Sequence, residues 1–355
     1  MRRRAAAFDS LPTPAAVDFA LQSMMCERSC APTAMCSAGF RRFGILPSWL
    51  VIATDASILT VASRSETVVP DRHNGGVSPE RPTSPARPTL VATDVDGTLI
   101  NEDELVSART REVIHAVVES GTPFLLATGR PPRWISPVVE SLGYAPLAVC
   151  ANGAVVYDSY ADRVLSAATL SVEALIELSG LALSVLPGAG LAAERVGESA
   201  HDAATPQFVS SPDYEHAWLN PDNTEMSEDD VLAVPAVKLL IRRPGMTSTA
   251  MYDALAPHVG TLADMTYSTE NGLIELSAPG ITKASGLVAA ANQFGFDLSG
   301  LVAFGDMPND IPMLAMANLG VAMGNAHPEA KAAADEVTET NSQHGVAKVL
   351  ERWWS

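Results

Sequence analysis

The chain has 355 residues, 47% of them hydrophobic and 18% charged, which suits a globular protein of two or three domains. Its formal net charge is −18, and this acidic balance excludes non-specific nucleic-acid binding, which needs a basic face. An anionic substrate must then be held by a metal and a few placed cations, not by a general positive field.

Residues 1–88 differ in character from the rest of the chain. They hold ten Arg, no Lys and seven acids, a balance of +3 that leaves −21 for the remainder. Four cysteines in a chain this long do not make a disulfide framework. Cys26, Cys30 and Cys36 lack the tight pair and fourth ligand of a metal site, and Cys150 reads as core packing. The start Met1-Arg2-Arg3-Arg4 is followed by Asp9 and Asp18 rather than a clean apolar segment, so a secretory signal is not expected. The apolar stretch 44–62 contains Pro47 and Asp55, which weaken a membrane-spanning reading. The expected location is the cytoplasm, with no membrane partner. Residues 67–88, rich in Pro, Ser, Gly and Arg, read as linker. The whole of 1–88 is expected to be a disordered extension, with a targeting peptide as the alternative, and its removal is expected to spare activity.

From Thr89 the pattern becomes regular. Leu90 to Thr93 is an apolar run ending in Asp94, as a buried parallel strand would. Ser107 caps a predicted helix to Ser120, stopped by Gly121, with Val106, Val113, Ile114, Val117 and Val118 on one face. Strands are predicted at 123–128 and 147–151. The segment 159–278 has polar loops such as 211–230 around strands such as 237–241, and reads as an inserted α+β domain. Thr282 caps a helix ending near Phe294-Gly295, and strands come next at 301–304 and 319–323. Strands alternating with helices give an α/β domain with a parallel sheet, formed by 89–158 and 279–355.

Four motifs carry chemistry. Asp94-Val95-Asp96-Gly97-Thr98 puts two carboxylates at a strand end, one suited to be a nucleophile and the other an acid/base. A calcium loop fails on spacing, because positions 99 and 105 are Leu99 and Leu105. Gly305-Asp306-Met307-Pro308-Asn309-Asp310 is a second strand-end carboxylate cluster, of the hard-oxygen kind that suits Mg²⁺. Thr128-Gly129-Arg130 offers a hydroxyl and backbone N–H groups for phosphate oxygens. Lys283 opens a helix, where the dipole disfavours a cation, so its place calls for a functional reason. Asn152 also ends a strand and, with Arg130, is a candidate to line the pocket and touch the substrate.

These pieces, in this order, resemble the haloacid-dehalogenase superfamily, and more closely its Cof-type hydrolases. Ala151-Asn152-Gly153-Ala154, Gly280-Ile281-Thr282-Lys283, residues 304–310, Met323-Gly324-Asn325-Ala326, 335–338 and 345–347 continue the match. The resemblance covers about residues 89–350. It implies a Rossmann-like core with a type IIB cap inserted between Thr128 and Lys283. It implies a phosphatase in which Asp94 attacks phosphorus and Asp96 serves as acid and then base. Mg²⁺ would be held by Asp94, the carbonyl of Asp96 and Asp306, with Asp310 in support. Thr128, Gly129, Lys283 and Asn309 would hold the phosphoryl oxygens. The expected partner is a small phosphorylated metabolite, with sugar phosphates suggested by family habit; the oligomeric state is not readable. A phosphoryl-transfer mutase, or a non-catalytic regulatory module on the same fold, is the alternative. In the cap, Glu194 and Arg195, with His201 shortly after, are candidates to grip the leaving group. Adjacent strand residues face opposite ways, so only one of the pair is expected to do so.

Overall fold

The computed structural model describes residues 86–355, apart from 203–205 and 218–219. The expectations for residues 1–85, including Cys26, Cys30 and Cys36, lie outside the described residues. The end of the expected linker is described: the Arg87 guanidinium donates to the Trp353 carbonyl at 3.1 Å and lies 5.4 Å from the Trp354 ring centroid. No helix among the described residues is long and apolar enough to cross a membrane.

Short apolar runs build the first sheet. The chain makes β1 (Leu90–Thr93), α1 (Ala108–Glu119), β2 (Phe124–Ala127), α2 (Ser136–Leu142), β3 (Leu147–Cys150), β4 (Val155–Asp158) and β5 (Arg163–Ala167). Ser107 caps α1 by accepting the Thr110 N–H, as its position predicts. The chain then leaves the sheet for α3 (Val172–Val185), β6 (Gly190–Glu194), β7 (Phe208–Ser210), β8 (Asn223–Glu225), α4 (Glu228–Leu232), β9 (Lys238–Arg242), α5 (Ser248–Val259), β10 (Asp264–Thr266) and β11 (Leu273–Ser277). It returns with α6 (Lys283–Phe294), β12 (Leu301–Gly305), α7 (Ile311–Met316), β13 (Leu319–Ala322), α8 (Pro328–Ala333), β14 (Glu336–Val337) and α9 (Gly345–Leu350).

The core sheet has the order β14-β13-β12-β1-β2-β3-β4-β5. Its first six strands run parallel, and β4 and β5 add an antiparallel hairpin. Leu90, Phe124, Leu126 and Phe304 fill it together with Ile114 and Leu350 from the flanking helices. Each such side chain contributes about 1.5–3 kcal/mol by leaving water. The cap sheet has the order β10-β11-β9-β6-β7-β8, antiparallel except for β7 with β8.

Sheet membership places the junction later than expected. β4 and β5 form one hairpin of the core sheet, so a boundary after Asp158 falls inside that hairpin, and the chain departs only after Ala167. The reason is pairing: β5 finds its hydrogen-bond partner in β4, not in the cap. The polar stretch 211–230, read as loop, holds β8 and the start of α4, the latter capped by Ser227.

The cap strands alternate cleanly. Leu191, Ala193, Leu239, Ile241, Ile274 and Leu276 pack under α3 and α5. Period-two alternation turns Glu194, Lys238 and Glu275 to the other face, with Phe208 and Leu240. That face borders the cavity shared with the core.

Candidate active site

Register brings the motifs to one height. Thr93 pairs with Phe304 and Leu126 with Thr93, so β1, β2 and β12 end together. Asp94 follows β1 and donates its N–H to the Phe304 carbonyl at 2.9 Å. Thr128 N–H reaches the Val149 carbonyl and Asn152 N–H the Thr128 carbonyl, at 2.8 and 3.0 Å. The site therefore lies at the carboxyl ends of the central parallel strands, where loops diverge and open a crevice.

The Lys283 ammonium anchors it. Thr282 caps α6 through a reciprocal box with Ser285. This fixes Lys283, which is fully buried, with Nζ 2.6 Å from Asp94 Oδ1 and 2.6 Å from Asp310 Oδ1. Burial by itself would lower the lysine pKa, but the Asp310 and Asp94 carboxylates outweigh it and hold the ammonium charged. Asp310 accepts the N–H groups of Asp306 and Met307 on its other oxygen, both at 2.9 Å, and so ties the loop after β12 to the lysine.

Asp306 is buried and accepts from the Thr98 hydroxyl at 3.0 Å. Gly97 makes room for it: with φ +74°, a Cβ there would lie 2.3 Å from Asp306 Oδ2. Gly153 plays the same part behind Asn152, since a Cβ would lie 1.9 Å from the Thr282 carbonyl oxygen.

The acids are short of positive charge. Burial, then repulsion from Asp310, pushes the Asp306 carboxyl up to about 7. Burial also pushes Asp94 well above the usual carboxylate range, against the pull of Lys283. Oxygens of Asp94, Asp306 and Asp310 all lie within 4.8 Å of one another. An all-oxygen, buried, under-neutralised donor set of this kind fits a hard divalent cation such as Mg²⁺.

Thr128 is buried, and its hydroxyl accepts the Arg130 N–H at 3.0 Å. Asn309 donates to Asn152 Oδ1 at 3.1 Å, and its own Oδ1 is buried without a partner. Asp96 faces the mouth of the site, its side chain 57% exposed. Arg130 holds it at two points, 2.9 and 2.6 Å.

A cavity of about 580 Å³ extends from Asp94 and Asp96 to the polar cap face. Glu194 reaches it but is taken by Arg133, at 2.5 and 3.2 Å. Arg195 points the other way, to the carbonyls of Asp230 and Val231 at the end of α4, and His201 is exposed outside the cavity lining. The candidate role of Arg195 at the leaving group therefore does not match its place: strand alternation sends it to cap a helix.

Among the cavity residues that escape the sequence reading are Arg133, Trp134, Lys238 and Glu275. Lys238 donates to the Gly129 carbonyl and to Glu275 Oε1, both at 2.8 Å, and Glu275 Oε2 accepts from Asn152 at 2.8 Å. A signal did exist for Lys238 and Glu275, because each sits inside an apolar strand, in Val237-Lys238-Leu239 and Ile274-Glu275-Leu276.

Comparison with known proteins agrees with this architecture. The sequence profile of the haloacid dehalogenase-like hydrolase family matches residues 91–350. The chain is 29% identical over 266 residues to a 5-amino-6-(5-phospho-D-ribitylamino)uracil phosphatase of Bacillus subtilis, a match spanning 74% of this chain and 95% of that protein. It resembles the crystal structure of a haloacid dehalogenase-like hydrolase from Bacteroides thetaiotaomicron, with 26% identity, a TM-score of 0.57, and coverage of 75% of this chain and 99% of that one. It shares its fold with a subclass IIB sugar phosphatase of the superfamily, at 22% identity and a TM-score of 0.61, over 75% of this chain and 98% of that one. With a parallel core sheet, an inserted cap of the IIB kind and the family profile across both, the chain belongs to the haloacid dehalogenase-like hydrolase family and is a phosphoric monoester hydrolase of the Cof type.

Proposed function

We propose that the chain is a magnesium-dependent phosphatase of small phosphorylated metabolites, working through an aspartyl-phosphate on Asp94. The observation that supports it most is the buried Asp94–Lys283–Asp310 contact at the strand ends, 2.6 Å on each side. It fixes one carboxylate oxygen and leaves the carboxylate facing a cavity of metabolite size.

Asp94 attacks phosphorus, forming the acyl-phosphate bond as the bond to the leaving oxygen breaks. Asp96 gives that oxygen a proton, then takes one from the water that hydrolyses the intermediate. To do so its side chain must turn inward from Arg130, a rotation its exposed position allows. Lys283 has three donors and uses two, so one remains for a phosphoryl oxygen. The Thr128 hydroxyl, the N–H of Gly129 and the Asn309 amide complete the cradle. Asp94, the carbonyl of Asp96 and Asp306 would hold Mg²⁺, braced by Asp310, and the ion would supply positive charge against the phosphoryl oxygens.

Glu275, Lys238 and Asn152 join cap to core beside the site, an arrangement suited to shielding the reaction from water. The relative from Bacillus subtilis is named for a small phosphorylated molecule, which supports the same substrate class here.

The test is phosphate release from a panel of phosphorylated metabolites, with Mg²⁺ and with EDTA, for the wild type and Asp94→Asn. The amide keeps the shape but cannot attack. Turnover should fall by at least about 10⁴-fold with the melting temperature kept. Wild-type rates in that variant would rule out Asp94 as nucleophile.

A further inference from the structure

The cap face of the cavity carries an arrangement of charge that the chemistry at phosphorus does not use. Three cations line the cavity, Arg130, Arg133 and Lys238, and each already has a carboxylate. Arg130 holds Asp96, and Lys238 holds Glu275. Arg133 has two: Glu194 on Nη1 and Nη2, and Asp222 on Nε at 3.1 Å. The Arg133 and Glu194 side chains are only 5% and 6% exposed.

A free guanidinium at this depth would be a ready site for a second phosphate or a carboxylate, because its planar fork matches both. Here the fork is filled, and two carboxylates on one guanidinium leave the surroundings of Arg133 at a net charge of −1. An incoming anion would meet repulsion, weakened by solvent at Asp222, whose side chain is 46% exposed, and least screened beside the buried Glu194. To take Arg133 for itself it would have to strand Glu194 as a buried, unpaired charge. Burial already pushes the Glu194 carboxyl up, against the pull of Arg133, so this carboxylate depends on the arginine. Beyond these pairs the chamber offers the Ser268 hydroxyl and the apolar faces of Phe208 and Leu240, with the exposed Glu104 carboxylate adding no positive charge.

We propose that Glu194, by occupying Arg133 with help from Asp222, makes the chamber select phosphomonoesters whose leaving group carries no second anionic group. The proposal rests on the phosphatase reading above and goes beyond it by naming the substrate class and the residue that enforces it. It is selection by repulsion, which discriminates without improving contacts to the accepted substrate.

The experiment uses the full chain with Mg²⁺ and two matched pairs of probes: glucose 6-phosphate against 6-phosphogluconate, and phenyl phosphate against 4-carboxyphenyl phosphate. For the wild type, kcat/KM should favour the neutral member of each pair by at least about tenfold, the scale of a single misplaced polar contact. In Glu194→Gln that ratio should collapse toward one, chiefly through a lower KM for the anionic member. Asp222→Asn leaves the buried Arg133–Glu194 pair in place and should move the ratio the same way by less, so it decides the matter if the first variant fails to fold. A wild type that hydrolyses both members alike, or variants that change all four substrates in parallel, would overturn the proposal and leave these residues as a cap–core latch. No hydrolysis of any of the four would overturn the phosphatase reading, and the proposal with it.

Discussion

At the scale of single residues, the site concentrates acids where their charge is costly. Asp306 is pushed up to about 7 by burial and by Asp310, whereas an unfolded aspartate titrates near ~4. Between those values the folded chain binds more protons than the unfolded one, so without metal the Asp306 contribution to stability falls as pH rises through that window. We expect the melting temperature in EDTA to drop from pH 5 to pH 8, and added Mg²⁺ to raise it more at pH 8 than at pH 5. Asp306→Asn should flatten that slope, and an unchanged slope would mean that Asp306 is not the group responsible. The strand-end carboxylates Asp94, Asp96, Asp306 and Asp310 were legible because their types and spacing are themselves the signal. Lys283 was legible because a cation at a helix start runs against the dipole, and the structure supplies the reason in Asp94 and Asp310. Glu194 was half legible. Strand period set it opposite to Arg195 without saying which of the two faces the site, its partner Arg133 lies 61 residues away, and no local pattern records that pairing.

At the scale of elements, capping and turn residues fixed most boundaries. Ser107 and Thr282 start α1 and α6, and Gly295, in the left-handed region, ends α6 as the sequence suggests. The turn after β1 is the most demanding, because Gly97 combines φ +74° with the close approach of Asp306. Gly97→Ala must therefore displace Asp306 or distort the turn, at a conformational cost of about 1–2 kcal/mol. We expect it to lower activity and to weaken the stabilisation by Mg²⁺ in a thermal titration, while far-ultraviolet circular dichroism stays native. An undiminished Mg²⁺ response would show that the turn absorbs the methyl group without moving Asp306. The sequence puts the cap junction too early because β5 looks, in sequence, like the start of a new segment. Only its pairing with β4, itself paired with β3, assigns it to the core sheet.

At the scale of the whole molecule, the two sheets of the described residues bury two main apolar clusters, one in the core and one in the cap. Polar contacts such as Arg133–Glu194 and Lys238–Gly129 join them across the cavity. Local opening free energies are therefore expected to differ between the two. Mg²⁺ should slow amide exchange in the loops after β1 and β12, at 95–100 and 306–310, and leave α3 and α5 unchanged, since a ligand stabilises the states that bind it. Equal slowing in core and cap would show that they open as one unit. The sequence by itself determined the parallel α/β core and the strand-end acids, because buried strands, caps and a reacting carboxylate each impose a pattern within a few residues. It also pointed to an inserted second domain, from the change of pattern along the chain, but put its start before β5, a strand of the core sheet. Tertiary structure alone decided which cap charges meet the core: Glu194, Lys238 and Glu275 come from three strands of the cap, and Arg133 and Asn152 from the core. Such pairings depend on how two sheets face each other, and side-chain period fixes the face of a residue without fixing what stands opposite it.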